Sequence, residues 1–475
     1  MEMLKEISEW KLDAKFEDSG RYFFHDKDVS AIEAGKYSYV IGRKGVGKTA
    51  ISQNIFSKNS HDVFCEKLTF KNFPFNSLYE LNDEDYTQPN QYITLWKYLI
   101  YSSICRMFVR NEAVDNEVRL ELEKIYGSVE PINNLRRIIK KWVANEWSVK
   151  FLGLGGKVKL SEDNGDQTWI EKVDVLEDVI SRYIDEANYY IVFDELDEDY
   201  SSIIKTGGQS NYLSLITSLF KAVQDIKSIF PSESSGVKPV VFLRDDIYDL
   251  LTDSDKTKWN DFRLDLDWDK NTIKDLIAFR LTRAKYRASE PLSFKQAWAL
   301  AFSPEKIEYG NRQKKQTDVY TYIAKSTQLR PRDFVRYLQV CAKEAVSERR
   351  TKIGPDIVKK VDKAFSNYLK EELIDEIHGV LPDIKEILMV ISEIRKQNFT
   401  IEEFKEQYSR AVETGTVTTK NAELALKILF HFSVVGNEPR QRQLSFFRYQ
   451  NKESRINFNE RLVVHRGLFK ALQIL

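Results

Sequence analysis

The chain has 475 residues, 42% hydrophobic and 30% charged, which at roughly 100–200 residues per domain leaves room for two to four cores. Lys+Arg 72 balance Asp+Glu 72, which argues against a dedicated whole-surface polyanion binder, and Gly 19 with Pro 11 exclude a collagenous or low-complexity chain. No apolar run approaches the ~20 residues of a membrane span, and the first residues lack the basic-then-apolar layout of a secretion signal. Cys65, Cys105 and Cys341, like His25, His61, His378 and His465, are too scattered for a disulfide framework or a metal cluster. A cytoplasmic, multi-domain protein with no membrane partner is expected.

Tyr37–Ile41 (YSYVI) predicts a strand feeding into GRKGVGKT, Gly42 to Thr49, and Ala50–Phe56 predicts the opening of a helix. Strand, G-x-x-x-x-G-K-[ST], helix is the context of a phosphate-binding loop. Gly42, Gly45 and Gly47 let backbone N–H groups turn inward around a polyphosphate, with Arg43, Lys44, Val46 and Ala50 completing the loop. Lys48 is placed to reach the β- and γ-phosphates, Thr49 offers a hydroxyl to Mg²⁺, and the helix N-terminus adds partial positive charge.

Such a loop needs an acid on a neighbouring strand. Tyr189–Phe193 (YYIVF) is the apolar run of a central parallel strand, and it ends at Asp194-Glu195. Asp194 would hold Mg²⁺ through water and Glu195 would orient or deprotonate the attacking water. The alternative is that Asp194–Asp199 (DELDED) is a solvated acidic turn. A third strand, Pro239–Leu243, ends at Arg244, which either senses the γ-phosphate or pairs with Asp245 or Asp246. Phe262–Leu266 is a fourth strand leading into a helix over Asn271–Lys285. Asp265, Asp267 and Asp269 do not make a calcium loop there, because Lys270 and Leu276 stand where Gly and a bidentate Glu are required. Leu329–Ala345 (LRPRDFVRYLQVCAKEA) reads as a helix with proline at its start and an apolar stripe of Phe334, Leu338 and Cys341. Arg332, or else Arg330 or Arg336, would reach the phosphates from a helical lid.

With these residues, the chain resembles AAA+ ATPases of the STAND and origin-recognition branch, in particular a bacterial P-loop ATPase family reading GRKGxGKTA at the loop. The resemblance covers Gly42–Ala50, Asp194-Glu195, Arg244 as first sensor, Pro331-Arg332 as second sensor, and the C-terminal module below. It implies an α/β P-loop NTPase core with a helical lid and a C-terminal winged helix, predominantly helical overall, with Pro331 near the adenine. It also implies ATP rather than GTP as ligand, Mg²⁺ as metal, slow or partner-stimulated hydrolysis to ADP and phosphate, and service as a switch in bacterial anti-phage defence or a related conflict system. The partner would be a separate effector protein, further copies of the chain, or both.

The domains expected are a core over 1–285, a lid over 286–372 and a winged helix-turn-helix over 373–475. The long span from Lys48 to Asp194 suggests an insertion at about 92–170, with helical periodicity at Tyr92–Met107 and Val114–Trp147 and a hairpin at Ser148–Leu160. Arg263, Arg280 and Arg283 are all open as an arginine finger. In the C-terminal part, helices are expected at Lys385–Lys396, from Thr400 with Glu403 closing a capping box, and at Asn421–Phe432, then strands at Gln443–Tyr449 and Ile456–Val464. Asn437–Leu475 carries Arg440, Arg442, Arg448, Lys452, Arg455, Arg461, Arg466 and Lys470 against Glu438, Glu453 and Glu460. That basic half suits double-stranded DNA, whereas the third helix offers only Lys427 and His431 beside Glu423, and a protein-contact role is equally compatible. The alternative function is therefore a DNA-binding ATPase of the loader, initiator or transposition type.

Overall fold

The computed structural model describes residues 1–58, 60–69, 91–126, 169–197, 209–287, 290–310, 315–439 and 445–474. The hairpin expected at Ser148–Leu160, most of the helix expected at Val114–Trp147, Glu198, Asp199, Arg440 and Arg442 lie outside them. The chain packs as two compact units. One comprises His25–Arg43 and Lys48–Leu266; the other comprises Met1–Phe24, Lys44–Gly47 and Asp267–Leu475. Its first helix, α1 (Glu2–Ser8), belongs to the second unit.

The first unit is built on five parallel strands: β1 (Tyr39–Ile41), β2 (Val63–Thr69), β3 (Asn188–Asp194), β4 (Val237–Leu243) and β5 (Arg263–Asp265). Their order is β2-β3-β4-β1-β5. β1 is flanked on both sides and covered on both faces, so all three of its residues are fully buried and the sequence there is apolar. Helices α2 (Lys27–Glu33) and α3 (Lys48–Ser57) lie on one face, where Tyr190 Oη and Lys238 Nζ both donate to the Glu33 carbonyl. The other face carries α4 (Gln91–Arg110), α5 (Asn116–Tyr126), α6 (Trp169–Tyr183) and α7 (Gln209–Ile229). Tyr39 stacks on Phe220 of α7 at 4.4 Å, and Trp96 of α4 meets Phe193 edge-on while its Nε1 donates to the Leu215 carbonyl. The stretch expected to open an insertion at Tyr92 thus forms α4. Trp96, Ile100, Tyr101, Ile104, Cys105 and Phe108 are all fully buried, the two isoleucines and the phenylalanine each worth roughly 1.5–3 kcal/mol in burial.

Every strand of this sheet runs the same way, so β1, β3 and β4 deliver their last residues, Ile41, Asp194 and Leu243, to one edge. Ligands of open parallel sheets bind at that edge.

The second unit is helical. Its helices are α8 (Lys270–Lys285), α9 (Phe294–Ala301), α10 (Val319–Ser326), α11 (Pro331–Ser347) and α12 (Pro355–Ile377), with a hairpin of β6 (Ile307–Tyr309) and β7 (Lys315–Thr317) between α9 and α10. Pro331 takes the first turn of α11, where its missing N–H costs nothing, and Phe334, Leu338 and Cys341 face the core as their spacing requires. The N-terminal segment packs here: Gln339 Nε2 donates to the Trp10 carbonyl at 2.7 Å, and Arg21 donates to the Arg283 carbonyl. Arg280 is buried in the same cluster, ion-paired to Glu17 with its guanidinium 4.5 Å above the Trp10 ring. A side chain so committed within its own chain is unsuited to an arginine finger.

The C-terminal part holds α13 (Ile384–Ile394), α14 (Ile401–Glu413), α15 (Ala422–His431) and an antiparallel sheet of β8 (Asn398–Phe399), β9 (Val435–Glu438) and β10 (Arg461–Val464), in the order β8-β10-β9. The capping box at Thr400 and Glu403 forms as expected, with the Glu403 N–H donating to Thr400 Oγ1 and the Thr400 N–H to Glu403 Oε2. The two expected strands need correction. Of Gln443–Tyr449, the described part makes only a single bridge, Phe446 to Asn437, and then turns. Of Ile456–Val464, only Arg461–Val464 is strand, because Asn457 offers the backbone a competing set of bonds. Its carbonyl accepts from Glu460 N–H, its Oδ1 accepts from Asn459 N–H, and its N–H donates to Asn437 Oδ1. The partner strand β9 (VGNE) is poor in strand formers. Gly436 is needed there because a Cβ would lie 2.5 Å from the Phe446 carbonyl oxygen.

Candidate functional site: a phosphate loop and its acid pair

The loop after β1 begins with the Gly42 N–H donating to the Leu243 carbonyl, which ties it to β4. Gly45 and Gly47 then adopt φ values of +83° and +109°, a region that side chains rarely tolerate. Lys48 opens α3 and folds back, its Nζ donating to the carbonyls of Gly42 at 2.7 Å and Arg43 at 3.0 Å. Burial lowers its affinity for a proton, Asp197, Asp245 and Asp194 oppose that, and Arg244 adds to it. Thr49 and Ala50 follow in the first turn of α3, half-buried.

In the helical unit, the loop tip Lys44–Gly47 is held by named groups. Trp268 Nε1 donates to the Val46 carbonyl at 2.8 Å, the Arg332 N–H lies 3.4 Å from the Gly45 carbonyl, and Lys44 Nζ lies 3.7 Å from Glu372. A Cβ on Gly45 would stand 3.3 Å from Arg332 Cβ. Arg332 is about a third exposed and reaches Glu372 at 3.3 Å. Arg330 is fully buried, bridged to Asp333 at 3.0 Å and Glu376 at 3.1 Å. Arg336 donates to Gln339.

At the end of β3, Asp194 is buried and both its oxygens are engaged. Oδ2 accepts from Lys67 Nζ at 2.8 Å and Oδ1 accepts from the Glu195 N–H at 3.0 Å. Glu195 sits at φ +56°, a left-handed conformation uncommon outside glycine, of the kind that concentrates at functional positions. Arg244 lies beyond the end of β4 and pairs with Asp246 at 2.7 Å and Asp197 at 3.4 Å. The pairing with Asp246 was one of the two outcomes open from the sequence.

The expected residues Lys48, Thr49, Asp194, Glu195 and Arg244 thus gather at the carboxyl edge of one sheet, and Pro331 and Arg332 lie with the loop tip in the helical unit. Lys67, Trp268 and Glu372 were not anticipated. The signal for Lys67 is the pair Glu66-Lys67 within the otherwise apolar strand VFCEKLT, since charges inside a packed strand require partners. Mg²⁺ takes hard oxygen ligands, and a threonine hydroxyl with a buried aspartate is a donor set of that kind. Among the described residues no group of three or more His, Cys, Asp or Glu side chains is arranged to hold a metal ion, and no helix is long and apolar enough to cross a membrane.

Glu66, on the opposite face of β2, is buried with Arg106 Nε 3.5 Å from Oε1. Burial, opposed by Arg106 and Arg110, pushes its carboxyl up from 4.5 to about 7. The folded protein therefore keeps a proton that the unfolded chain releases, so stability falls as pH rises from about 4.5 to about 7 and stays reduced above that. The loss amounts to about 3 kcal/mol. Glu66→Gln is expected to abolish this slope. Urea denaturation at several pH values checks it, and parallel slopes for the two proteins would count against the buried carboxyl.

The parallel sheet, the loop between β1 and α3, and the acid at the end of β3 define a core of α/β P-loop NTPase fold, and the chain continues into a helical domain and a C-terminal domain. Residues 271–374, within the helical unit, match the family model described as the FunZ-associated C-terminal helical domain. Two solved structures similar to the chain are Aeropyrum pernix ORC2 in ADPNP-ADP complexes and Drosophila ORC bound to DNA. The first is 11% identical, with 94% of this chain and 92% of that chain covered and a TM-score of 0.40. The second is 12% identical, covering 99% and 92%, with a TM-score of 0.32. At such scores they add nothing to what the strand order and the loop define. No curated protein matches the chain.

Proposed function

We propose that the chain is an ATP-binding, slowly hydrolysing switch ATPase of the AAA+/STAND kind, working in the cytoplasm. The observation that carries this is the convergence of Lys48, Asp194 and Glu195 at one edge of a parallel sheet, with Lys48 following in sequence a loop whose Gly45 and Gly47 are at positive φ. Loop N–H groups and Lys48 bind the β- and γ-phosphates. Thr49 and, through water, Asp194 would hold Mg²⁺, which when bound would neutralise phosphate charge. Glu195 orients the attacking water and accepts its proton, and Arg244 distinguishes ATP from ADP. Pro331 and Arg332, which share a unit with the loop tip, supply the contribution of the lid.

In this reading the P-loop core, the helical lid and the C-terminal winged helix respond to nucleotide by changing assembly or by releasing a separate effector. The bacterial defence setting rests on the family resemblance alone. Glu195→Gln is expected to keep ATP binding within about threefold and to slow hydrolysis by about 10²-fold, read as phosphate release alongside nucleotide affinity. Unchanged behaviour in this variant would instead mean a scaffold that uses ATP structurally.

A second reading, a DNA-binding ATPase, draws on the basic side chains of the C-terminal part. Arg455, Arg461 and Lys470 are exposed and Arg448 is half-buried, while Lys452 is drawn to Asp267 at 2.7 Å. Turnover stimulated by duplex DNA, and lost with salt, distinguishes it from the switch.

A further inference from the structure

We infer that Lys67 is a positioning residue for the acid pair: its ammonium fixes the Asp194 carboxylate, and Asp194 in turn holds the left-handed turn that aims Glu195. This rests on the reading of Asp194 and Glu195 given above. Lys67 and Asp194 lie on neighbouring strands with Lys67 paired to Val192 and Thr69 to Asp194, so the alternation of a strand sends both side chains to the α3 face. Both are buried, and Nζ is 2.8 Å from Oδ2.

A buried pair of this type gives little net stability, because desolvation offsets most of the attraction; its consequence is geometric. With Oδ2 held by Lys67, Oδ1 is presented to the Glu195 N–H at 3.0 Å, and that bond fixes the peptide plane that leads into Glu195, whose φ is +56°. Without the ammonium the carboxylate is free to rotate toward water, and the turn loses the acceptor that fixes it. Lys67 itself donates to Asp194 and has no assigned part in holding phosphate, so it acts through the acid pair and not on the reacting atoms.

Two readouts on Lys67→Met test this. Hydrogen exchange of the full-length protein without nucleotide should show the amides of Glu195–Asp197 exchanging at least about tenfold faster than in the wild type, with Tyr190–Phe193 unchanged. In turnover, kcat should fall at least about tenfold while the KM for ATP with Mg²⁺ stays within about threefold, because the loop that binds the phosphates is untouched. Unchanged exchange at Glu195–Asp197, or acceleration spread evenly along β3, overturns the inference. So does a loss confined to KM. If Lys67→Met does not fold, Lys67→Gln, which keeps a donor without the charge, carries the same comparison. A wild type that neither binds nor hydrolyses ATP defeats the functional reading, and the exchange experiment still decides the role of Lys67.

Discussion

Lys48→Ala is expected to weaken ATP binding by about 10²–10³-fold. The side chain donates to the Gly42 and Arg43 carbonyls, neutral acceptors that exchange readily for phosphate oxygens. A charge-assisted bond contributes about 1.5–3 kcal/mol, so two of them to the β- and γ-phosphates total about 3–6 kcal/mol, or about 10²–10⁴-fold in affinity, and giving up the Gly42 and Arg43 carbonyls brings the net loss to the lower part of that range. Burial already disfavours the ammonium, and a polyanion beside it relieves that cost, which strengthens the coupling between charge and ligand. The fold should survive, because Gly42 remains tied to Leu243 and α3 keeps Ile51 and Ile55 buried. Calorimetric titration with a slowly hydrolysed ATP analogue checks the prediction, and binding within threefold of the wild type would remove Gly42–Thr49 from the site.

The features legible in the sequence are those written in contiguous residues. YYIVF and PVVFL are apolar because parallel strands covered on both faces leave no room for alternation. The loop glycines announce a tight turn, which Gly45 and Gly47 make at positive φ, and Thr400 with Glu403 announces a helix start that forms where expected. What was not legible depends on residues brought together from a distance. Lys67 and Asp194 are far apart in sequence, and only the pairing of β2 with β3 sets them side by side. Arg280 reads as a free basic residue until Glu17 and Trp10 arrive from the chain's start. The alternation at Ile456–Glu460 mimics a strand, but Asn457 turns the chain there, its Oδ1 accepting from the Asn459 N–H and its carbonyl from the Glu460 N–H. Arg330 and Arg332 are two residues apart with different environments: one is buried against acids and the other is partly exposed beside Glu372. Which of Arg330, Arg332 and Arg336 was fit to reach a ligand was open from the sequence. The structure commits Arg330 to the interior, pairs Arg336 with Gln339 and puts Arg332 beside the loop tip.

Arg330→Met is accordingly expected to destabilise the helical unit by about 3–5 kcal/mol, the usual cost of removing one partner from a buried ionic cluster. Asp333 is fully buried and bound by the Gln328 N–H, and Glu376 is nearly so; without the guanidinium both face an uncompensated charge. The guanidinium also lies 3.5 Å from the Lys44 carbonyl, at the tip of the phosphate loop, so loss of ATP affinity should accompany the loss of stability. Adding Glu376→Leu to Arg330→Met removes one of the stranded charges and should recover part of the stability without recovering affinity, since the contact at Lys44 remains absent. Denaturant unfolding followed by tryptophan fluorescence reads the first effect and nucleotide titration the second. A cost under about 1 kcal/mol for Arg330→Met would be the signature of a solvated surface pair, and Arg330 would then stand beside Arg332 as a residue free to meet the phosphates.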